Sequence, residues 1–284
     1  LETAVVLLGG AVAGIVNPIN PLLEADQISA ILRETKARVV VTLRAFPKTE
    51  VAQKVAEAVK HAPGVKTVLE VDLNRYLTPP KSWIVPLVRP KNPVSHTANV
   101  RNFNAEMKRQ PADRLTFVDG QQDRIAAFFH TGGTTGTPKL VRHTHANQVS
   151  QAWGLRIMGL AQPGGNILFG LPLFHVGGAL TQGLASLANG GNLVVLGAAG
   201  WRHPNALRNV WKLVERYRPE IFGGVPTVLA AALQVPREGL DLSSVQRASG
   251  GGSAIPVAVI QAYEAIGWAV LEVYGMTETS SVHT

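Results

Sequence analysis

Short continuous runs of Val, Ile and Leu alternate along this 284-residue chain with stretches whose apolar residues recur at helical spacing. That alternation limits the fold more than any other feature. Continuous apolar runs suit strands buried on both faces, and intervening amphipathic helices suit the crossovers that cover a parallel sheet. Strands are expected at Val39 to Leu43, Thr67 to Val71, Ile125 to His130, Ile167 to Gly170, Leu193 to Leu196, Glu220 to Gly223 and Val270 to Val273. Helices are expected at Ala25 to Glu34, Thr49 to Lys60, Asn147 to Met158, Gly178 to Asn189, Pro204 to Tyr217, Pro226 to Leu233 and Pro256 to Ala265. The fold class is α/β, with parallel-rich sheets covered by helices.

Between Tyr76 and Thr116 the periodicity fails and prolines gather at 79, 80, 86, 90, 93 and 111, which reads as an irregular surface excursion. It sets a first subdomain, 1–116, apart from a second, 117–284, that is rich in glycine loops. No repeat of fixed period is present. The apolar run Ala4 to Val16 is interrupted by Gly9, Gly10 and Gly14, and it is shorter than the ~20 residues that a bilayer span requires. No basic segment precedes it, as a signal peptide would need. Because core-like sequence starts at Leu1, the expectation is that Leu1 is an interior point of a longer protein.

The 27 basic and 19 acidic residues leave a net charge of +8, with an isoelectric point near 10.0. Much of the excess lies in Lys81, Arg89, Lys91, Arg101, Lys108, Arg109 and Arg114. No RNA-binding or helix-turn-helix signature surrounds them, so nucleic acid is set aside as a partner, while peripheral contact with an anionic membrane stays open. Cysteine is absent, which rules out disulfides, thiolate metal sites and cysteine nucleophiles, and is compatible with the cytoplasm.

Directly after the apolar run Ile125 to His130 comes Thr131-Gly132-Gly133-Thr134-Thr135-Gly136-Thr137-Pro138-Lys139. Glycines let backbone N–H groups close on an anion, threonine hydroxyls add donors at several angles, and Lys139 supplies a mobile positive charge for a polyphosphate. A plain strand-to-helix turn has no reason to gather four threonines and a lysine. A Walker A loop is excluded, because that pattern needs Gly before the lysine and Ser or Thr after it, and here Pro138 and Leu140 hold those places.

The loop closely resembles the phosphate-binding signature of the adenylate-forming enzymes, the superfamily of acyl-CoA synthetases, non-ribosomal peptide adenylation domains and luciferases. Leu271-Glu-Val-Tyr-Gly-Met-Thr-Glu278 resembles that family's Tyr-Gly-x-Thr-Glu motif. By the same likeness Tyr274 packs on adenine beside Gly275, Thr277 contacts the α-phosphate, and Glu278 helps hold Mg²⁺. Gly250-Gly251-Gly252-Ser253 resembles the turn along adenine and the acyl pocket. Leu171-Pro-Leu-Phe-His-Val-Gly-Gly178 resembles the Pro-Leu-Phe-His segment, which would make His175 and Gly178 pocket lining, a safer role for this histidine than general base. Gly223-Gly-Val225-Pro-Thr227 resembles a turn of the same cavity, and Asn17-Pro-Ile-Asn-Pro21 an Asn-Pro stretch near the start of the large domain.

The resemblance implies the large domain of an adenylate-forming enzyme, in part, with the small C-terminal domain absent. It implies attack of a carboxylate on ATP to give an acyl-adenylate, then thioester formation with coenzyme A. Lys139, Thr277 and Glu278 would carry the chemistry. Thr131, Gly132, Gly133, Thr134, Thr135, Gly136, Thr137, Lys139, Gly251, Gly252, Ser253, Tyr274, Gly275 and Thr277 would bind the nucleotide. His175, Gly178, Val225 and Gly250 would line the substrate pocket. ATP, Mg²⁺, coenzyme A and a small carboxylic acid are the implied ligands. Apolar neighbours in Leu173-Phe174 and Val225-Pro226 favour a medium or long acyl chain. The family also uses an aspartate, an arginine and a mobile lysine beyond the Thr-Glu motif, so little turnover is expected of a chain ending six residues after Glu278. Transfer to a carrier-protein thiol, and an ATP-binding module without catalysis, are the competing readings.

Overall fold

A computed structural model describes residues 1–90, 95–118, 120, 122–131 and 138–284. The chain forms two compact units, one of residues 1–122 with 130–140, the other of residues 123–129 with 141–284.

In the first unit the elements run α1 (Glu2–Ala13), α2 (Ala25–Glu34), β1 (Val39–Leu43), α3 (Val51–Lys60), β2 (Thr67–Val71), α4 (Lys81–Val88), β3 (Asn99–Asn102) and α5 (Phe103–Lys108). The strands form a parallel sheet in the order β1-β2-β3, with Val39 opposite Thr67 and Thr67 opposite Asn99. Helix α2 starts where Gln27 folds back to accept from the Glu24 backbone N–H at 3.0 Å, one arm of a capping box. Its Ile28 and Leu32 sit one turn apart and bury against Val55 and Val59 of α3 and Val68 of β2.

The Tyr76 to Thr116 stretch is more ordered than its prolines suggest, since α4, β3 and α5 all lie in it. Pro80 caps α4 and Pro86 sits inside it. Arg89 then fastens its end, donating to both carboxylate oxygens of Asp72 at 2.9 Å and to the Ala45 carbonyl at 2.6 Å. Strand β3 is exposed throughout and joins the sheet by backbone pairing to β2, so it has no apolar run to announce it. The run beginning at Ala4 is a helix, α1, and among the described residues no helix is long and apolar enough to cross a membrane.

β4 (Ile125–Thr131) and β5 (Lys139–Thr144) pair with each other and contain residues of both units. The second unit continues with α6 (His145–Ile157), β6 (Asn166–Phe169), a π-helical segment (Gly177–Leu184), α7 (Ala185–Ala188), β7 (Asn192–Val195), α8 (Pro204–Arg208), α9 (Val210–Tyr217) and β8 (Ile221–Gly224). It ends with α10 (Pro226–Leu233), β9 (Arg247–Gly251), α11 (Val257–Glu264), β10 (Ala269–Val273), β11 (Gly275–Met276) and β12 (Ser281–Val282). β6 and β7 pair in parallel, and so do β8, β9 and β10, with β9 in the middle. Trp211, Phe222, Tyr263 and Trp268 pack ring against ring in the core beneath the second sheet, with the Tyr263 and Trp268 rings stacked 5.6 Å apart. Their polar atoms are met: the Trp211 indole donates to the Val235 carbonyl at 2.9 Å and the Tyr263 hydroxyl to the Leu229 carbonyl at 2.8 Å.

Two helices differ from their expected form. Gly178 to Asn189 is a π-helical turn running into α7. Gly183 comes so close to Gly178 that a Cβ on it would stand 2.9 Å from the Gly178 carbonyl. Wide turns of this kind often mark functional sites. Pro204 to Tyr217 is two helices, because the Asn209 side chain donates to the Asn205 carbonyl at 2.8 Å and its backbone leaves the helical region.

Candidate functional site

The carboxyl ends of β8, β9 and β10 meet along one edge of their sheet. Gly224 stands opposite Gly250, and Gly251 opposite Val273. The turns that leave this edge are therefore neighbours: Gly223 to Thr227, Gly250 to Pro256, and Tyr274 to Glu278. In open α/β sheets such an edge is where ligands bind.

Glycines let the edge close. A Cβ on buried Gly250 would lie 2.8 Å from the Leu229 side chain and 3.2 Å from the Gly224 carbonyl, and one on Gly251 would lie 2.6 Å from the Val273 carbonyl. Gly252 faces open space but has φ +85, a conformation that glycine adopts without penalty. Ser253 beyond it is exposed. The far end of this turn is pinned by Glu272 of β10, whose carboxylate accepts from the Ile255 backbone N–H at 2.8 Å.

Past β10, β11 and β12 form a small antiparallel hairpin, and a Cβ on Gly275 would collide with the Ser281 carbonyl. The hairpin carries the turn Thr277–Thr279, closed by the Thr279 hydroxyl, which accepts from the Met276 N–H at 3.2 Å and donates to carbonyl oxygens of Met276 and Ser281. Tyr274 holds its ring edge-on to His283 at 5.1 Å and leaves 60% of the residue exposed. Thr277 is half-buried, and Glu278 is exposed and forms no ion pair among the described residues.

The segment after β6 reaches the same edge. Thr181 of the π-helical turn hydrogen-bonds the Ser281 hydroxyl, and the Gln182 amide nitrogen lies 3.6 Å from where a Gly223 Cβ would stand. A Cβ on Gly178 would strike the Pro172 carbonyl, so this glycine fixes the approach of the π-helical segment to the Pro-Leu-Phe-His turn. His175 Nδ1 accepts from the Gly177 N–H at 3.1 Å, which places the ring proton on Nε2. Part of the residue reaches solvent, but the protein around the ring desolvates it and holds its pKa below the ordinary histidine value. A neutral ring of that kind suits a pocket wall. Val225 caps α10, with Pro226 at the first helical position.

Of the phosphate-loop residues, Thr131 ends β4 and Lys139 begins β5 with its side chain exposed. Gly132, Gly133, Thr134, Thr135, Gly136 and Thr137 lie outside the described residues. Within the first unit the Asn20 backbone N–H donates to His130 Nε2 at 3.0 Å, which ties the Asn-Pro stretch to the residue before the loop. Sequence patterning gave no sign of Glu272, Thr181 or His143, whose ring nitrogen bonds the Thr277 carbonyl at 2.7 Å. Each lies inside a regular element and acts through a contact distant in sequence.

A family model described as AMP-binding enzyme matches residues 1–284. The chain belongs to the AMP-binding enzyme family. It is 34% identical over 284 residues to the marinolic acid–CoA ligase of a Pseudoalteromonas species, covering 97% of this chain and 40% of that protein. It is 31% identical over 282 residues to the long-chain-fatty-acid–CoA ligase of Bacillus subtilis, covering 95% of this chain and 47% of that protein. The chain thus spans roughly two-fifths to half the length of these two AMP-binding relatives. Among solved structures, the anthranilate CoA ligase AuaEII in complex with anthranoyl-AMP superposes with a TM-score of 0.72 at 23% identity, over 94% of this chain and 46% of that one. The N-terminal domain of FACL13 from Mycobacterium tuberculosis gives 0.69 at 24%, over 99% and 61%. These two likenesses establish the fold, the one shared by that ligase and the N-terminal domain of FACL13.

Proposed function

We propose that the whole protein couples a carboxylic acid to coenzyme A through an acyl-adenylate, at the expense of ATP. The observation that carries this reading is the sheet edge where Gly251, Tyr274, Thr277 and Glu278 gather, in a chain whose curated relatives are named CoA ligases. A substrate carboxylate is already a nucleophile, so the protein has to align it and spread charge rather than move protons. The carboxylate oxygen attacks the α-phosphorus, the bond to the bridging β-oxygen breaks, and pyrophosphate leaves with the electron pair. The thiolate of coenzyme A then attacks the acyl carbonyl and AMP departs.

In this reading Tyr274 receives the adenine on its exposed face, with Gly251, Gly252 and Ser253 beneath the base. Thr277 donates to the α-phosphate, and Thr131 through Lys139 grip the β- and γ-phosphates. Glu278 fits Mg²⁺, which takes one or two carboxylates and fills its remaining positions with phosphate oxygens and water. The ion would neutralise charge on the phosphates. His175, Gly178, Val225 and Gly250 border the acyl group, and the apolar residues beside them favour a medium or long chain, in keeping with the fatty-acid ligases among the relatives.

The test is acid-dependent exchange of labelled pyrophosphate into ATP by the full-length protein, followed by coenzyme A-dependent release of AMP. Exchange with a fatty acid and AMP release are expected. Exchange without coenzyme A-dependent release would redirect the acyl group to a carrier thiol, and silence with every acid of a broad panel would refute adenylation.

A further inference from the structure

His143 is buried to 1% exposure near the end of β5, with its ring tilted against Phe129 of β4 at a centroid distance of 5.1 Å. Its two nitrogens have different fates. Nε2 lies 2.7 Å from the backbone carbonyl oxygen of Thr277, and since a carbonyl only accepts, Nε2 carries the proton and donates. Nδ1 is buried and has no hydrogen-bond partner among the described residues. An unmet buried nitrogen is costly, and a leucine of similar size would fill the same apolar niche without that cost. The histidine therefore does something that an apolar side chain would not.

Its one partner is informative. The Thr277 carbonyl opens the turn Thr277–Thr279 and also accepts from the Ser280 N–H at 3.1 Å, while the Thr279 hydroxyl bonds Met276 and Ser281; each of those bonds lies within the hairpin, whereas His143 reaches the turn from β5. The Ser281 backbone has φ 117 and Ser280 φ 62, so the hairpin is held in a conformation that side chains disfavour. Without the tether from β5, the Thr277 carbonyl keeps only its bond within the hairpin to Ser280 among the described residues, and the turn is free to relax about Ser280 and Ser281, rotating the Thr277 hydroxyl and the Glu278 carboxylate together.

We infer that His143 is a positioning residue for adenylation, holding the Thr277 carbonyl so that the Thr277 hydroxyl and the Glu278 carboxylate face the reacting phosphates. This rests on the reading of Thr277 and Glu278 given above. The α-phosphate gains its fifth substituent only in the transition state, so misplacement of these groups lowers kcat more than it weakens ATP binding. Losing a tether of this kind costs about five- to tenfold in kcat, on the scale of one neutral hydrogen bond.

The test uses full-length protein and pyrophosphate exchange, with the parent measured alongside. His143→Leu removes the donor at similar volume, and His143→Asn keeps an amide but is too short to reach the carbonyl. His143→Gln places an amide N–H close to the position of Nε2. The expected result is a five- to tenfold lower kcat for the Leu and Asn variants with the KM for ATP within about twofold, and recovery to within about twofold of parent in the Gln variant. Equal kcat in parent, Leu and Gln variants, or a loss that Gln does not recover, overturns the inference while leaving adenylation intact. If the Leu variant does not fold, the Asn–Gln contrast decides alone. A parent that shows no exchange with any acid overturns both the inference and the reading beneath it.

Discussion

Replacing Gly251 by alanine asks whether the proposed nucleotide edge is as closely packed as the structure has it. The new Cβ would stand 2.6 Å from both the carbonyl oxygen and a methyl carbon of Val273. Val273 is its register partner in β10, so backbone meets backbone and no side-chain rotation relieves the contact. Overpacking of this type costs about 1–3 kcal/mol, and an immovable carbonyl puts it near 3. Gly252→Ala is the matched control. Its Cβ meets nothing within 4 Å, but φ is +85, and the left-handed conformation costs a non-glycine residue about 1–2 kcal/mol. Buried Trp201, Trp211 and Trp268 belong to the core of this same unit, so their fluorescence in a urea titration reports the relevant transition. Gly251→Ala is expected to lose about 3 kcal/mol, equivalent to about 9 °C in Tm for a unit of this size, and Gly252→Ala about half as much. Because the strain falls at the start of the Tyr274 turn, Gly251→Ala is also expected to lose ATP affinity where the protein remains folded. A Gly251→Ala protein within 0.5 kcal/mol of parent, or a Gly252→Ala protein that is the less stable of the two, would refute the close approach of β9 and β10.

The adenine platform proposed for Tyr274 predicts that Tyr274→Ala weakens ATP binding about tenfold, while Tyr274→Phe changes it less than threefold, measured by calorimetry. Tyr263→Phe deletes a buried donor to the Leu229 carbonyl and is expected to lower stability by about 1 kcal/mol without affecting exchange, read from urea midpoints and initial rates. Burial depresses the pKa of both His143 and His175 in the folded state, so the unfolded chain binds more protons as pH falls below the ordinary histidine value of 6.5. Their contribution is fully present above that pH and is lost as pH falls through the folded values. Urea midpoints followed by tryptophan fluorescence should therefore drop between pH 7.5 and pH 5.5, and a midpoint that rises over that interval would contradict the desolvation of these rings.

The long-range frame was legible because hydrophobic burial writes itself into local sequence. β1, β2 and α10 occupy the residues that their patterns mark, and the other expected strands shift by a residue or so. What stayed hidden depends on contacts made elsewhere. β3 is an exposed strand of Asn, Val and Arg that exists because β2 offers backbone partners. The split at Asn209 depends on a side chain competing for a backbone carbonyl, and the π-helical turn on the absence of side chains at Gly178 and Gly183. The site divides in the same way. Tyr274, Thr277 and Glu278 are readable because their spacing within one turn is the motif. Glu272 and His143 are not, since what matters about each is the remote backbone atom it meets.

That division has a physical reason. A group that touches a ligand must present a particular functional atom, which restricts residue type and spacing together and leaves a local signature. A group that holds a turn needs only to supply a donor or acceptor at one point in space, and many residues at many positions can do so. At this edge the two kinds are joined in series. Glu272 fixes the turn after β9 from the neighbouring strand, and His143 fixes the turn after β10 from β5, so the loops proposed to face the nucleotide inherit their positions from side chains rooted in regular strands. Rigid strands set those side chains more narrowly than the loops could set themselves. Loss of either anchor should therefore lower turnover by loosening a turn whose ligand-facing residues are all still present.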